Sequence, residues 1–195
     1  MTPFTTLTSI VAPLPRDNID TDAIIPSREI RSTGRTGLAD GLFAGWRYRE
    51  GRAPDPAFVL NRPEFVGARI LATGTNFGCG SSREHAVWAL SEWGIRCVIA
   101  ESFAPIFEAN CVRNGVLPVR LPAAAVERVA GRTITVDLAR QDAGGEAFAI
   151  GAEAKAMLLD GLDAIDLTLT HRAAITEWVA RDQARRPWVY PEVAR

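Results

Sequence analysis

Between residues 68 and 121 the chain alternates β-rich apolar stretches with helical ones, and glycines mark the joins. This alternation constrains the fold more than any other feature. GARILATG reads as a strand ending at Gly74, and in SREHAVWALSEWG the residues Ala86, Val87, Ala89, Leu90 and Trp93 recur at helical spacing until Gly94 stops them. IRCVIAES is a second strand, FAPIFEANCVRNG a second helix closed by glycine, and VLPVRL a third strand. Strand, helix, strand, helix, strand is an α/β pattern.

Around that unit, FTTLTSIVA (4–12) reads as a strand stopped by Pro13 and Pro15, and DNIDTDAIIPSREIRSTGRTG as a long loop of the kind that carries function. RTITVDLA and EAFAIG are expected to pair as a hairpin across RQDAGG, and HRAAITEWVARDQARR is expected to form a last helix closed by Pro187. Without an internal repeat or a low-complexity linker, residues 1–195 are read as one domain.

At 195 residues, 47% apolar and 23% charged with a net charge of -1, the composition is that of an ordinary globular protein and asks for neither nucleic acid nor membrane. The N-terminus lacks a basic stretch followed by an apolar one, so a cytoplasmic location is expected. Cys79, Cys97 and Cys111 are too scattered for a disulfide framework or a zinc site, and the two histidines, His85 and His171, add little. Any metal is expected to come from elsewhere.

The stretch NFGCGSSREH (76–85) concentrates the chemistry. Ser81 and Glu84 stand in the S-x-x-E relation of a capping box, a structural device that many helices use. A cap does not need Gly78 and Gly80, a second serine or Arg83, and an arginine in a first helical turn opposes the dipole. Such a cation beside electropositive amides makes sense where an anion is expected. The spacing matches neither a P-loop nor a G-x-G-x-x-G turn, and G-x-S-x-G is absent. Cys79 is a small buried thiol more readily than a nucleophile.

GSSREHA, preceded by NFGC and followed by ESFAPIFEANCVRNGVLPV, resembles the swivelling domain of the aconitase superfamily. DNIDTDAIIPSR, RTGLADGLFAGWRY, LLDGLDAIDLTL and the tail ARRPWVYP narrow the resemblance to the family of bacterial 3-isopropylmalate dehydratase small subunits. It implies an α/β fold, a swivelling β/β/α domain, with the GSSRE turn at the exposed C-terminal end of the strand at 68–73. It implies a hydro-lyase of leucine biosynthesis that converts 2-isopropylmalate to 3-isopropylmalate through isopropylmaleate. It also implies a separate large subunit that holds a 4Fe-4S cluster, with no cofactor bound by this chain.

Carried over by position, Ser81 resembles the catalytic base that takes a proton from the carbon beside a carboxylate, and Ser82 and Arg83 resemble ligands of the substrate carboxylates. Asp22 aligns with an acidic active-site residue of aconitases, although Ala23 replaces the histidine that follows it there. The loop from Ser27 to Gly37 corresponds to the region that sets substrate choice, with Arg31 or, by preference, Arg35 facing the substrate. A helix start and the Arg83 guanidinium would favour negative charge on the Ser81 oxygen. Two alternatives stay open: a related dehydratase small subunit of homoaconitate or citraconate type, and a non-catalytic carboxylate-binding module.

Overall fold

The computed structural model describes residues 1–30 and 34–190. Its strands are β1 (Thr6–Leu14), β2 (Ile70–Thr73), β3 (Cys97–Ala100), β4 (Leu117–Arg120), β5 (Thr133–Asp137), β6 (Asp142–Ala143) and β7 (Glu146–Ala147). Its α-helices are α1 (Thr21–Ile24), α2 (Ala44–Arg47), α3 (His85–Trp93), α4 (Pro105–Arg113), α5 (Ala123–Val129), α6 (Ala152–Asp160), α7 (Ala164–Leu169) and α8 (Arg172–Arg185).

The strands form one mixed sheet in the order β4-β3-β2-β1-β5-β6-β7. β1 to β4 run parallel and β5 to β7 continue from β1 as an antiparallel meander. Parallel strands need covered faces, and here every residue of β2 and β3 is buried. Alternate side chains divide between two cores. Leu71, Val98 and Ala100 join α3 residues such as Val87 and Leu90 on one face. Ile70, Cys97 and Ile99 join α5 and α6 residues such as Val126 and Leu158 on the other.

The expected hairpin is replaced by a meander. β5 pairs with β6, which lies inside the stretch read as the turn, and β7 pairs with β6 rather than with β5. Gly144 and Gly145 both have positive φ (69° and 93°), so a two-residue reversal of the I′ kind fits between β6 and β7. The expected last helix is present, and Gly94 ends α3 at φ 110°. The long loop after β1 holds a short helix, α1, capped by Asp20, whose Oδ1 accepts from the Ala23 amide at 2.6 Å.

The loops that leave the C-terminal ends of β1, β2 and β3 are stitched together past the sheet. The Asn18 amide donates to the Thr75 carbonyl (2.9 Å), that of Gly78 to Ile19 (2.7 Å) and that of Thr21 to Cys79 (2.9 Å). On the other side, the Phe77 amide donates to Ser102 (3.0 Å) and that of Ala104 to Phe77 (3.0 Å). Phe77 is fully buried, edge-on to Phe103 and Phe107 at centroid distances of 6.3 and 5.2 Å. Gly78 follows at φ +77°, and a Cβ built on it would run into the Phe107 ring.

Replacing Gly78 by alanine therefore adds a clash to a disfavoured φ, and is expected to cost about 2–4 kcal/mol of stability. At Gly80 (φ +87°) a Cβ meets Asp20 only at 3.4 Å. Gly80→Ala is expected to cost about 1–2 kcal/mol, from the backbone conformation alone. Denaturant midpoints of the two variants give the order, and a smaller loss at Gly78 would contradict the packing.

Candidate active site

Ser81, Ser82 and Arg83 lie in an irregular turn between β2 and α3, at the C-terminal edge of the parallel strands where α/β sheets offer their crevices. Both serines are exposed. With Thr21, Gly78 and Gly80 they form one wall of an open cleft of about 100 Å³, and Ala104, Pro105, Ile106, Phe107 and Asn110 form the other.

The capping box is not formed. α3 starts at His85, its N-cap is Glu84 without a side-chain cap, and Ser81 stands four residues ahead of the helix. Long-range partners pull the turn away from that local solution. The Glu84 carboxylate accepts from Asn114 Nδ2 at 3.3 Å, and Arg83 is drawn to Asp22. Among the described residues the Ser81 hydroxyl makes no hydrogen bond, while the Ser81 carbonyl accepts from the Arg83 amide (2.7 Å) and the Thr21 hydroxyl (3.0 Å).

The helix start that faces the cleft belongs to α4. Pro105 occupies its first turn and Ala104, its N-cap, supplies no side-chain acceptor. The amides of Ile106 and Phe107 lack intrahelical acceptors by helix geometry, so this end carries the positive pole that was expected of α3. FAPIF contained the signal, a proline at a helix start, but nothing in the local pattern aims that start at residues 81–83.

Arg83 holds Asp22 through its planar fork: Nη1 donates to Oδ1 and Nη2 to Oδ2, each at 2.8 Å. Nη1 also donates to Ser27 Oγ (2.8 Å), whose hydroxyl donates to Asp22 Oδ1 (3.2 Å). The Arg83 hydrogen bonds hold the Asp22 carboxyl below the usual carboxylate range. Asp22 is thus an ionised partner of Arg83, beside the cleft rather than on its lining. Arg83 stays a quarter exposed, with Nε outside this pairing.

Arg35 does not line the cleft; its guanidinium lies 5.2 Å over the Trp88 ring of α3. Trp88 Nε1 donates to Asn114 Oδ1 (2.9 Å), the same side chain that holds Glu84, so loop and turn share one anchor. Arg31 lies outside the described residues. Beyond Arg35, the Glu92 carboxylate of α3 accepts from the amides of Gly37 (2.7 Å), Leu38 (2.5 Å) and Ala39 (2.8 Å). Burial opposes its charge, yet the three amides prevail and lower its pKa. Sequence reading missed this clamp, since a glutamate on an exposed helical face looks solvated.

No three His, Cys, Asp or Glu side chains converge as a metal site among the described residues. Cys97 and Cys111 lie in the core, and burial pushes their thiols up, away from the thiolate a metal would need. The described residues do not fit an iron–sulfur cluster. No helix among the described residues is long and apolar enough to cross a membrane.

A family model for the aconitase C-terminal domain matches residues 1–124. The 3-isopropylmalate dehydratase small subunit of Cupriavidus necator is 54% identical, over 97% of this chain and 99% of its own. Its namesake from Dinoroseobacter shibae is 49% identical over 97% and 100%. Among solved structures, a 3-isopropylmalate dehydratase from Methanocaldococcus jannaschii superposes with a TM-score of 0.65 at 27% identity, covering 88% of this chain and 98% of that one. The resemblance drawn from the motifs and the comparison with whole chains agree: this chain belongs to the aconitase C-terminal domain family, among the small subunits of 3-isopropylmalate dehydratase.

Proposed function

We propose that this chain is the carboxylate-binding and proton-handling half of a two-chain hydro-lyase that converts 2-isopropylmalate to 3-isopropylmalate in leucine biosynthesis. The observation that carries the reading is the exposed Ser81 hydroxyl, free of protein partners among the described residues and set in a cleft between Arg83 and the start of α4. In the forward direction the Ser81 oxygen, as an alkoxide, takes a proton from the methylene carbon next to one carboxylate. The hydroxide that leaves the neighbouring carbon takes up a proton from solvent, balancing the one Ser81 gave to solvent on becoming an alkoxide, and departs as water as isopropylmaleate forms. Rehydration returns a proton to the carbon that lost hydroxyl and places hydroxyl on the former methylene.

A serine is a poor base in water, so its surroundings must favour the charged form. The first-turn amides of α4 contribute positive potential without needing to reorganise, and the guanidinium of Arg83 adds to it. Ser82 donates to a substrate carboxylate and Arg83 engages it, either through Nε or by releasing Asp22. The Arg83–Asp22 pair is solvent-exposed, with Asp22 56% accessible, and exposed pairs are weak enough for a substrate anion to replace. In this reading Asp22 orients Arg83 and does not itself ligate a substrate carboxylate, which would repel its charge. Arg35 reaches the remainder of the substrate only by leaving the Trp88 ring, since it does not line the cleft.

The cleft's size favours the two-chain reading over a self-sufficient binding module. At about 100 Å³ it is smaller than the roughly 300–1,000 Å³ of pockets that enclose a ligand, so a second surface must close it. That surface belongs to a large subunit, which also carries the 4Fe-4S cluster. A cytoplasmic setting suits this reading.

Mixing this chain anaerobically with a cluster-bearing large subunit is expected to produce isomerisation that neither chain shows alone. A homoaconitate or citraconate type shows instead as preference for that substrate, and a binding module as ligand binding by the isolated chain without turnover. Ser81→Ala is expected to keep the fold and the assembly while lowering kcat about 10²–10⁴-fold, the range of a lost acid–base group. Near-normal turnover in an assembled Ser81→Ala complex rules out the base. Arg83→Lys keeps the charge but loses the fork, and kcat/KM is expected to fall about tenfold to a hundredfold.

A further inference from the structure

Asn110 is buried, with 4% of its surface exposed, and it sits on α4 one turn beyond the residues that open the cleft. Its backbone is engaged, since its carbonyl accepts from the amide (3.1 Å) and from Nδ2 (2.8 Å) of Asn114. Its side-chain amide makes no hydrogen bond among the described residues. Buried polar side chains almost always have a partner, and leaving one unsatisfied costs free energy. The side-chain atoms sealed from solvent without a partner belong to Arg47 and Arg96, not to Asn110. What surface Asn110 retains is therefore the cleft's, whose lining it shares with Ser81, Ser82 and Arg83.

From this we infer that Asn110 is a substrate-binding residue of the cleft, its Nδ2 donating to a carboxylate oxygen of the 2-hydroxydicarboxylate. The inference rests on the proposed hydro-lyase reading. It follows from three features together: a polar side chain nearly stripped of water, the absence of an acceptor for it among the described residues, and an opening lined by anion-binding groups. Asn110 lies across the cleft from the serine turn, on the wall formed by α4, so a diacid held by Arg83 on one side meets a second donor on the other. An amide suits that position because it donates without adding charge that Ser81 would have to compete with. The neighbouring side chains explain its burial without satisfying it. Phe107 and Cys111, on the same helix, are packed in the core beside it.

The test uses the reconstituted two-chain complex with 2-isopropylmalate. Asn110→Ala breaks no hydrogen bond among the described residues but leaves a small cavity, so only a modest fall in its unfolding midpoint is expected. Its KM is expected to rise about tenfold, the value of a single lost hydrogen bond to a charged group, with kcat within threefold of wild type. Asn110→Asp has the same shape but sets a negative charge against a dianion, and its KM is expected to rise further than that of the alanine variant. In the wild-type complex, the Asn110 side-chain NH2 resonances are expected to shift on saturation with 2-isopropylmalate. An unchanged KM in both variants overturns the inference, as does an unchanged NH2 resonance at saturation. A normal KM beside the lowered unfolding midpoint overturns it in favour of a packing role. A wild-type complex that fails to turn over 2-isopropylmalate sinks the hydro-lyase reading and this inference with it, whereas failure confined to the Asn110 variants leaves the hydro-lyase reading standing.

Discussion

The backbone of residues 75–79 carries hydrogen bonding past the end of β2 on both sides, and the geometry of the cleft depends on it. Three loops leave the same edge of a parallel sheet, and without these bonds each would be free to spread. Phe77 locks the arrangement from below by burying its ring against Phe103 and Phe107 while its amide and carbonyl serve the loop after β3. A large buried aromatic of this kind is worth about 3–5 kcal/mol. One apolar side chain thus determines where Ser81, four residues on, meets the start of α4. Gly78 is required because that ring occupies the space a Cβ would take, so its first duty is to packing rather than to ligand approach.

Electrostatics then act on a frame already in place. Arg83 is prevented from straying by Asp22 and Ser27, and those contacts come from the loop after β1, which the same ladder brings alongside. The cleft gathers donors: serine hydroxyls, a guanidinium, the first amides of α4 and the Asn110 amide. Its acidic neighbour, Asp22, spends its charge on Arg83 from outside the lining. A surface with that balance suits an anion, and it does so without a lysine: the chain's single one, Lys155, donates to Ala139 and Gln141 elsewhere.

Much of this was legible in the sequence because the signals were local. Helical spacing and Gly94 located α3, alternating apolar stretches located β2 to β4, and the glycine-rich turn fell at the expected strand end. What escaped depended on partners distant in the chain. The capping box between Ser81 and Glu84 fails because Asn114 claims Glu84 from 30 residues away and Asp22 claims Arg83 from 61. β6 was hidden inside an apparent turn because two residues carry no periodicity, and its pairing is set by the Gly144–Gly145 reversal. Asn110 was invisible because a polar residue on a helix reads as solvent-facing, and only the packing of α4 buries it. Arg35 was read as facing a ligand, whereas its guanidinium rests on Trp88, a partner 53 residues away that no local pattern signals.

The same contrast bears on how such a site can work in halves. A cleft whose polar groups were satisfied by its own chain would be stable but would have little left to offer a ligand. Here the Ser81 hydroxyl and the Asn110 amide remain without protein partners among the described residues, while the groups that position them, Phe77 and Asn114 above all, are fully engaged. The Asn110 amide keeps its remaining surface in the cleft, so a ligand that binds there displaces water and breaks no protein hydrogen bond. Preorganisation of this kind is useful only if water is later excluded, because an exposed serine oxygen remains a poor base. An open wall of donors with rigid support behind it is therefore half of a catalytic site, and its physical counterpart is a second surface that closes over the anion it holds.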